Sequence, residues 1–143
     1  MLDSPPPVAG ATPVGRTDNT SYYRLDPDLL LVVPDAGLKD NGASAIANTD
    51  FQLRYAAELG RPVAVVVHMT SLLSQDADAR HTYAERMDPG LFYAAALVAG
   101  NPISRAIASF FLGLTRPKIP TRVHPSYETA IAWAATMRPA GSP

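Results

Sequence analysis

The chain has no cysteine among its 143 residues. Disulfides, thiolate metal sites and cysteine nucleophiles are therefore excluded, and the redox compartment is left open. Long hydrophobic runs are missing too: the longest, Leu91 to Ala99, has nine residues against the ~20 a spanning helix needs. The start, Met1-Leu-Asp-Ser-Pro-Pro-Pro, carries neither the basic nor the apolar region of a signal peptide, so a cytoplasmic protein with no integral membrane segment is expected. No dense cluster of Arg and Lys is present, which argues against a nucleic-acid partner. The histidines His68, His81 and His124 have no metal-ligand spacing, and the chain has no Gly-rich phosphate loop, so neither a metal nor a cofactor is expected. Paired catalytic carboxylates and the strained Gly-x-Ser-x-Gly elbow of a serine nucleophile are also missing, which points away from an enzyme.

What is present is enough apolar sequence for one core. Residues 1–20 hold Pro5, Pro6, Pro7 and Pro13 without periodicity, and this composition predicts a disordered tail. Residues 139–143 read the same way, which leaves a domain over 21–138. The net charge of −1 is divided unevenly. Residues 21–100 carry six Arg/Lys and ten Asp/Glu, whereas residues 101–138 carry five Arg/Lys against Glu128 alone. Such a dipole steers an anionic partner or a second copy of the chain, or it is simply a solvated surface.

The element order follows from periodicity and punctuation. Tyr22–Leu25 and Leu29–Val33 flank Asp26-Pro27-Asp28 and read as a hairpin. A helix over about 40–59 follows, ended by Gly60, with Ile46, Leu53 and Ala57 predicted to face inward and Phe51 and Tyr55 to flank them; Asp50 falls awkwardly on the same stripe. Val63–Val67 is uniformly apolar, as in a central strand covered on both faces. A loop over 68–75 leads to a helix over 76–87 that Ser74 or Asp76 is placed to cap. Leu91–Ala99 is the next buried strand. In the helix over 103–114, Ile103, Ala106, Ile107, Phe110, Phe111 and Leu114 form a stripe predicted to face the core. Thr121–His124 is a short strand, and Ser126 caps a last helix to about Met137. The expected fold is α/β, order β-β-α-β-α-β-α-β-α, with a mixed sheet of about five strands and four helices.

This order resembles the STAS family, the anti-sigma-factor-antagonist fold related to Sec14-like domains. The segment from Asn101 through Phe110-Phe111-Leu112-Gly113-Leu114 to Arg122 is similar to the C-terminal half of a bacterial STAS-like group of unknown function, with Tyr127–Trp133 in place of that group's last helix. The resemblance implies a regulatory protein-interaction module engaged near residues 68–80. STAS antagonists carry a phosphorylatable serine at the start of the helix after the central strand. Aligning that pattern puts Asp76 on its aspartate and Asp78 on the modified serine, with Ser74 just upstream. An aspartate presents a fixed charge and cannot be phosphorylated there, so a module without the serine switch is implied; alternatively both acids only stabilise a helix N-terminus.

Three further groups are candidates. His68 ends the central strand, at the edge where α/β folds bind ligands, with Thr70 and Ser71 in the loop after it. Asn101, Ser104 and Arg105 open a helix, where backbone N–H groups attract anions, although Pro102 removes one donor and Asn101 is equally a plain cap. Arg116, Lys118 and Arg122 surround Pro117, Ile119 and Pro120, a rigid basic loop expected to expose one apolar side chain to a protein or an anionic surface. The leading expectation is a non-enzymatic interaction module with a protein partner or self-association. The alternatives are a Sec14-like binder of a small apolar or anionic ligand and, third, a hydrolase using His68 with Ser71 or Ser104.

Overall fold

In the computed structural model, which describes residues 7–25 and 27–140, Val63–His68 lies inside a six-stranded mixed sheet. In chain order the elements are β1 (Thr12–Arg16), β2 (Thr20–Leu25), β3 (Leu29–Pro34), β4 (Lys39–Asp40), α1 (Gly42–Leu59), β5 (Val63–His68) and β6 (Ser74–Gln75). They continue with α2 (Ala77–Arg86), β7 (Phe92–Val98), α3 (Pro102–Leu114), β8 (Thr121–His124) and α4 (Tyr127–Thr136). The sheet order is β1-β2-β3-β5-β7-β8; the first three strands pair antiparallel and the rest parallel. β4 and β6 form a separate two-stranded parallel ladder. The α/β class, the four helices and the mixed sheet match the sequence reading.

Each parallel crossover advances in the same direction across the sheet. Right-handed connections of that kind put their helices on one face. Accordingly α1, α2 and α3 share a face, through Ala56, Ala84, Ala108 and Phe111 packed over Val65, Val67 and Leu97. α4 alone lies on the other face, over Val66, Ala94 and Ala96.

Two expectations need correction here. The tail predicted over 1–20 is ordered strand from Thr12: β1 is a sixth, edge strand paired with β2, and Ala11 and Thr20 are buried. Pro13 and Gly15 hid it, because Pro is confined to edges and bulges and the register shifts between these two residues. Gly15 lets the Phe51 ring press on the strand: a Cβ there would lie 2.7 Å from that ring. Residues 1–6 and 141–143 of the two predicted tails fall outside the described residues. The second correction is the phase of α1. Its inner face is Ala45, Asn48, Thr49, Gln52 and Ala56, while Ile46 and Ala57 are exposed. Asp50 is thereby released to the surface, where Arg86 pairs with it.

α4 is fastened at its far end by a buried acid. Asp28 accepts hydrogen bonds from Arg138 Nε and Nη2 at 2.9 and 2.8 Å and from the Tyr93 hydroxyl at 2.9 Å, with Arg61 3.6 Å away. Burial opposes its charge, but the bonds from Arg138 and Tyr93 outweigh that and hold the carboxyl below its usual range. No helix of the described residues is long and apolar enough to cross a membrane.

Candidate functional site

The carboxyl ends of β5, β7 and β8 lie side by side, with His68 in register with Val98 and Val98 with His124. The loops leaving β5 and β7 contain Thr70, Ser71 and Asn101, with Ser104 and Arg105 just inside α3, whereas Arg116 and Lys118 precede β8 at the opposite edge of the sheet. Thr70 ties two of these loops together: its hydroxyl accepts from Gly100 N at 3.1 Å and its carbonyl from Asn101 Nδ2 at 2.9 Å. Asn101 also caps α3. Its side chain accepts from Ser104 N at 2.8 Å while the Ser104 hydroxyl accepts from Asn101 N, a complete capping box. The polar groups expected to meet an anion at this helix start are spent on the turn itself, and Ser104 is fully buried. Arg105 is exposed beside them.

His68 Nε2 lies 3.1 Å from the Ser71 hydroxyl, and its ring stacks on Tyr127 at 5.6 Å. Burial pushes the imidazole below its ordinary pKa, so the neutral form dominates at pH 7. The pair opens on a depression rimmed by Arg16, Tyr23 and Asp35. Asp35, the nearest carboxylate of that rim, is engaged by Arg16 at 2.6 Å, and the buried His68 Nδ1 has no partner. A base without a group to orient its second nitrogen lacks the third member of a hydrolytic triad. His124 is similarly buried and inclined against Trp133, with burial and then Arg122 lowering its pKa. His81 is exposed, and no group of three metal-ligating side chains occurs among the described residues.

In the 74–78 segment, Ser74 pairs with Lys39 in the β6–β4 ladder. Asp76 caps α2, accepting from Ala79 N at 2.9 Å. Asp78 lies in the first turn of α2 and over Gly42, the first residue of α1, where a Cβ would be 3.1 Å from the Asp78 Cβ. Both acids thus stand at helix N-termini, where their charge is favoured.

The largest departure from expectation is α3. The predicted stripe is divided: Phe111 faces the core and Ile107 is half-buried, whereas Ile103, Ala106, Phe110 and Leu114 are exposed. Ser104, Ala108 and Phe111 are the buried residues, while Ile103, Phe110 and Leu114 are 62, 60 and 58 % exposed. These three, with the half-buried Ile107, recur at i, i+4, i+7 and i+11 and form one line about a quarter turn from the anchoring face. Ser104, Ala108 and one large residue, Phe111, seat the helix on the sheet, and the other large apolar residues point outward. The basic loop that follows keeps Arg116, Lys118 and Arg122 exposed, with Lys118 Nζ donating to Glu85 O at 2.8 Å. Ile119, expected to be its exposed apolar residue, is instead in the core, packed with Val65 and Met87. No acidic residue occurs from 89 to 127. The result is an apolar line along α3 that runs toward Arg116 just past the helix end, while Arg105 lies about half a turn round the helix from it; no carboxylate occurs on the same segment.

The model of a family described as a domain of unknown function, DUF7793, matches residues 42–138, from the start of α1 past the end of α4. No curated protein matches the sequence.

Proposed function

Because the chain belongs to the DUF7793 family, of unknown function, we propose from the geometry of its surface that it is a non-enzymatic interaction module. Its docking face is α3, and its partner is an amphipathic helical segment with an apolar stripe and acidic flanks. The observation that carries this reading is the outward line of Ile103, Phe110 and Leu114. Solvent-facing residues of that size on one helix face are costly unless something covers them. The charge around the line selects the occupant. Antiparallel pairing of α3 with a second copy would leave Arg116 at each end with no acidic group on the facing segment, because none occurs from 89 to 127. The basic residues are too few for the four-to-eight cluster that holds a protein to an anionic membrane. An acidic helix meets both the apolar and the cationic components.

The wider assignment to a STAS-like regulatory module rests on the element order and on the segment 101–122. With Asp76 and Asp78 serving helix termini, regulation by a serine phospho-switch is not part of the proposal. The docking face also moves from residues 68–80 to α3.

The test uses a labelled helical peptide with leucine at i, i+3, i+4 and i+7 and glutamate elsewhere, and its lysine-for-glutamate counterpart, followed by fluorescence anisotropy. Saturable binding of the acidic peptide alone, weakened roughly tenfold or more by Phe110→Ser, supports the reading. It is overturned if neither peptide binds. It is equally overturned if sedimentation shows a dimer abolished by Phe110→Ser, or if the protein floats with phosphatidylglycerol vesicles through Phe110.

A further inference from the structure

α4 crosses the sheet from its carboxyl edge to its amino edge and is fastened differently at the two ends. At the amino edge the fastening is ionic, Arg138 on the buried Asp28. At the carboxyl edge it is a pair of imidazoles. His68 and His124 are both in register with Val98, one on each side of β7, so they share the α4 face about 10 Å apart. The His68 ring stacks on Tyr127, the first residue of α4, and His124 lies against Trp133 further along it. The rest of the helix seats on the small residues Ala130 and Ala134.

Each ring has one buried nitrogen without a hydrogen-bond partner, Nδ1 of His68 and Nε2 of His124. A neutral imidazole can leave such an atom as its lone-pair side, whereas an imidazolium carries an N–H donor at both nitrogens. Protonation in place therefore strands a charged donor where neither water nor an acceptor reaches it. The groups around the rings do not compensate. His68 faces Ser71 on its own loop, Tyr127 on α4 and, across the depression, Tyr23 of β2 and the mutually neutralised Arg16 and Asp35. His124 faces Trp133 and the cationic Arg122 of its own strand. Glu128, the acid of the first turn of α4, is exposed. Attraction of a charged ring for Tyr127 or Trp133 offsets part of the cost. Burial, aided at His124 by Arg122, still lowers both pKa values. Asp28 behaves oppositely: its carboxyl, held below 3.8, stays ionised through the range where histidine titrates.

We propose that α4 is an acid-released flap: when His68 and His124 take up protons its first two turns leave the sheet, while the Asp28–Arg138 bond holds the far end. Release uncovers Val66, Ala96 and Val98 and lets both imidazoliums reach water. The sign follows from linkage. The closed form binds fewer protons than the open one, so closure weakens as pH falls below the ordinary histidine value of 6.5. Two histidines together raise the opening equilibrium by up to about a hundredfold between pH 7.5 and 5.5. α4 lies across the sheet from α3, so this inference does not depend on the docking face.

Native-state hydrogen exchange in the full chain tests this, read at the amides of Ala130 and Ala134 in α4 and of Val65 and Ala95 in the sheet. After correction for intrinsic rates, the α4 amides should be less protected than those of the sheet at both pH values. Their protection should fall by up to about a hundredfold from pH 7.5 to 5.5. The double variant His68→Phe with His124→Phe keeps an aromatic ring in each place and should reduce that fall to less than about threefold. If the double variant does not fold, either single substitution should cut it to about tenfold. The Arg138 Nε–H signal, bonded to Asp28, should persist at pH 5.5. Equal protection of α4 and sheet amides means that α4 leaves only on global unfolding and overturns the inference. It is also overturned by a fall below about threefold in the wild type, or by a fall that survives in the histidine variants. Loss of the Arg138 signal together with α4 protection overturns it as well.

Discussion

Phe110 and Phe111 are adjacent in sequence and chemically identical, yet the fold gives them opposite environments. Phe111 is 8 % exposed and packs among Met69, Leu72, Leu97 and Ala108, whereas Phe110 is 60 % exposed. Truncating a buried phenylalanine removes its transfer free energy and leaves a cavity, so Phe111→Ala should cost about 3–5 kcal/mol. For a domain of this size each kcal/mol corresponds to roughly 3 °C, placing the midpoint about 10 °C lower. Phe110→Ala removes contacts made mainly with water, and its effect should stay within about 0.5 kcal/mol. Urea titrations of the two variants, with the slope checked against wild type, give both values in one experiment. Comparable losses in the two would refute the assigned phase of α3, and with it the docking face built on that phase. A large loss from Phe110→Ala alone would mean that the stripe faces inward, as its periodicity by itself implies.

Asp28→Asn should destabilise by about 3 kcal/mol at pH 7, the low end for a broken buried pair, because Arg138 and Arg61 are each about a quarter exposed and can rehydrate. The same carboxyl is held below its ordinary 3.8, so it stabilises the fold above that pH and its contribution is lost as pH falls further. The variant should therefore lose less stability than wild type across that acid range in urea titrations. Asp40 has the opposite sign: burial raises its carboxyl above 3.8, so the native state holds its proton more tightly and stability declines as pH rises from 3.8 through the raised value. Asp40→Asn should flatten that decline in a pH series of midpoints, and an unchanged slope would refute its cause.

Much of the fold was legible because its signals are local. Gly60 adopts the left-handed conformation that ends α1, and Asp76, Asn101 and Ser126 each cap the helix they precede. The uniform apolar character of β5 and β7 marked them as interior strands. β1 was not legible, since Pro13 and Gly15 erase the alternation that identifies a strand. The phases of α1 and α3 failed for a shared reason: apart from Phe111, both helices seat on the sheet with small or polar residues, whereas periodicity follows large apolar ones. Asp50 on the proposed inner stripe of α1 was the one warning available. The polar cluster of Asp40, Asn48, Gln75 and Tyr83 on the helix-covered face of the sheet left no local trace at all, because these residues belong to four different elements and meet only in three dimensions.

The bond between Asp28 and Arg138 joins positions 110 residues apart. During synthesis Asp28 leaves the ribosome early, while its partner follows at the far side of every remaining element. Until α4 arrives, Leu31, Val66 and Ala96 have no helix over them on that face of the sheet. The half-made chain is then a sheet with one greasy side open, the kind of intermediate that aggregates or recruits a chaperone. Closure is a late, long-range step, so folding should be slow for the domain's length. A nascent chain stalled before α4 emerges should remain protease-sensitive even with all its strands outside the exit tunnel.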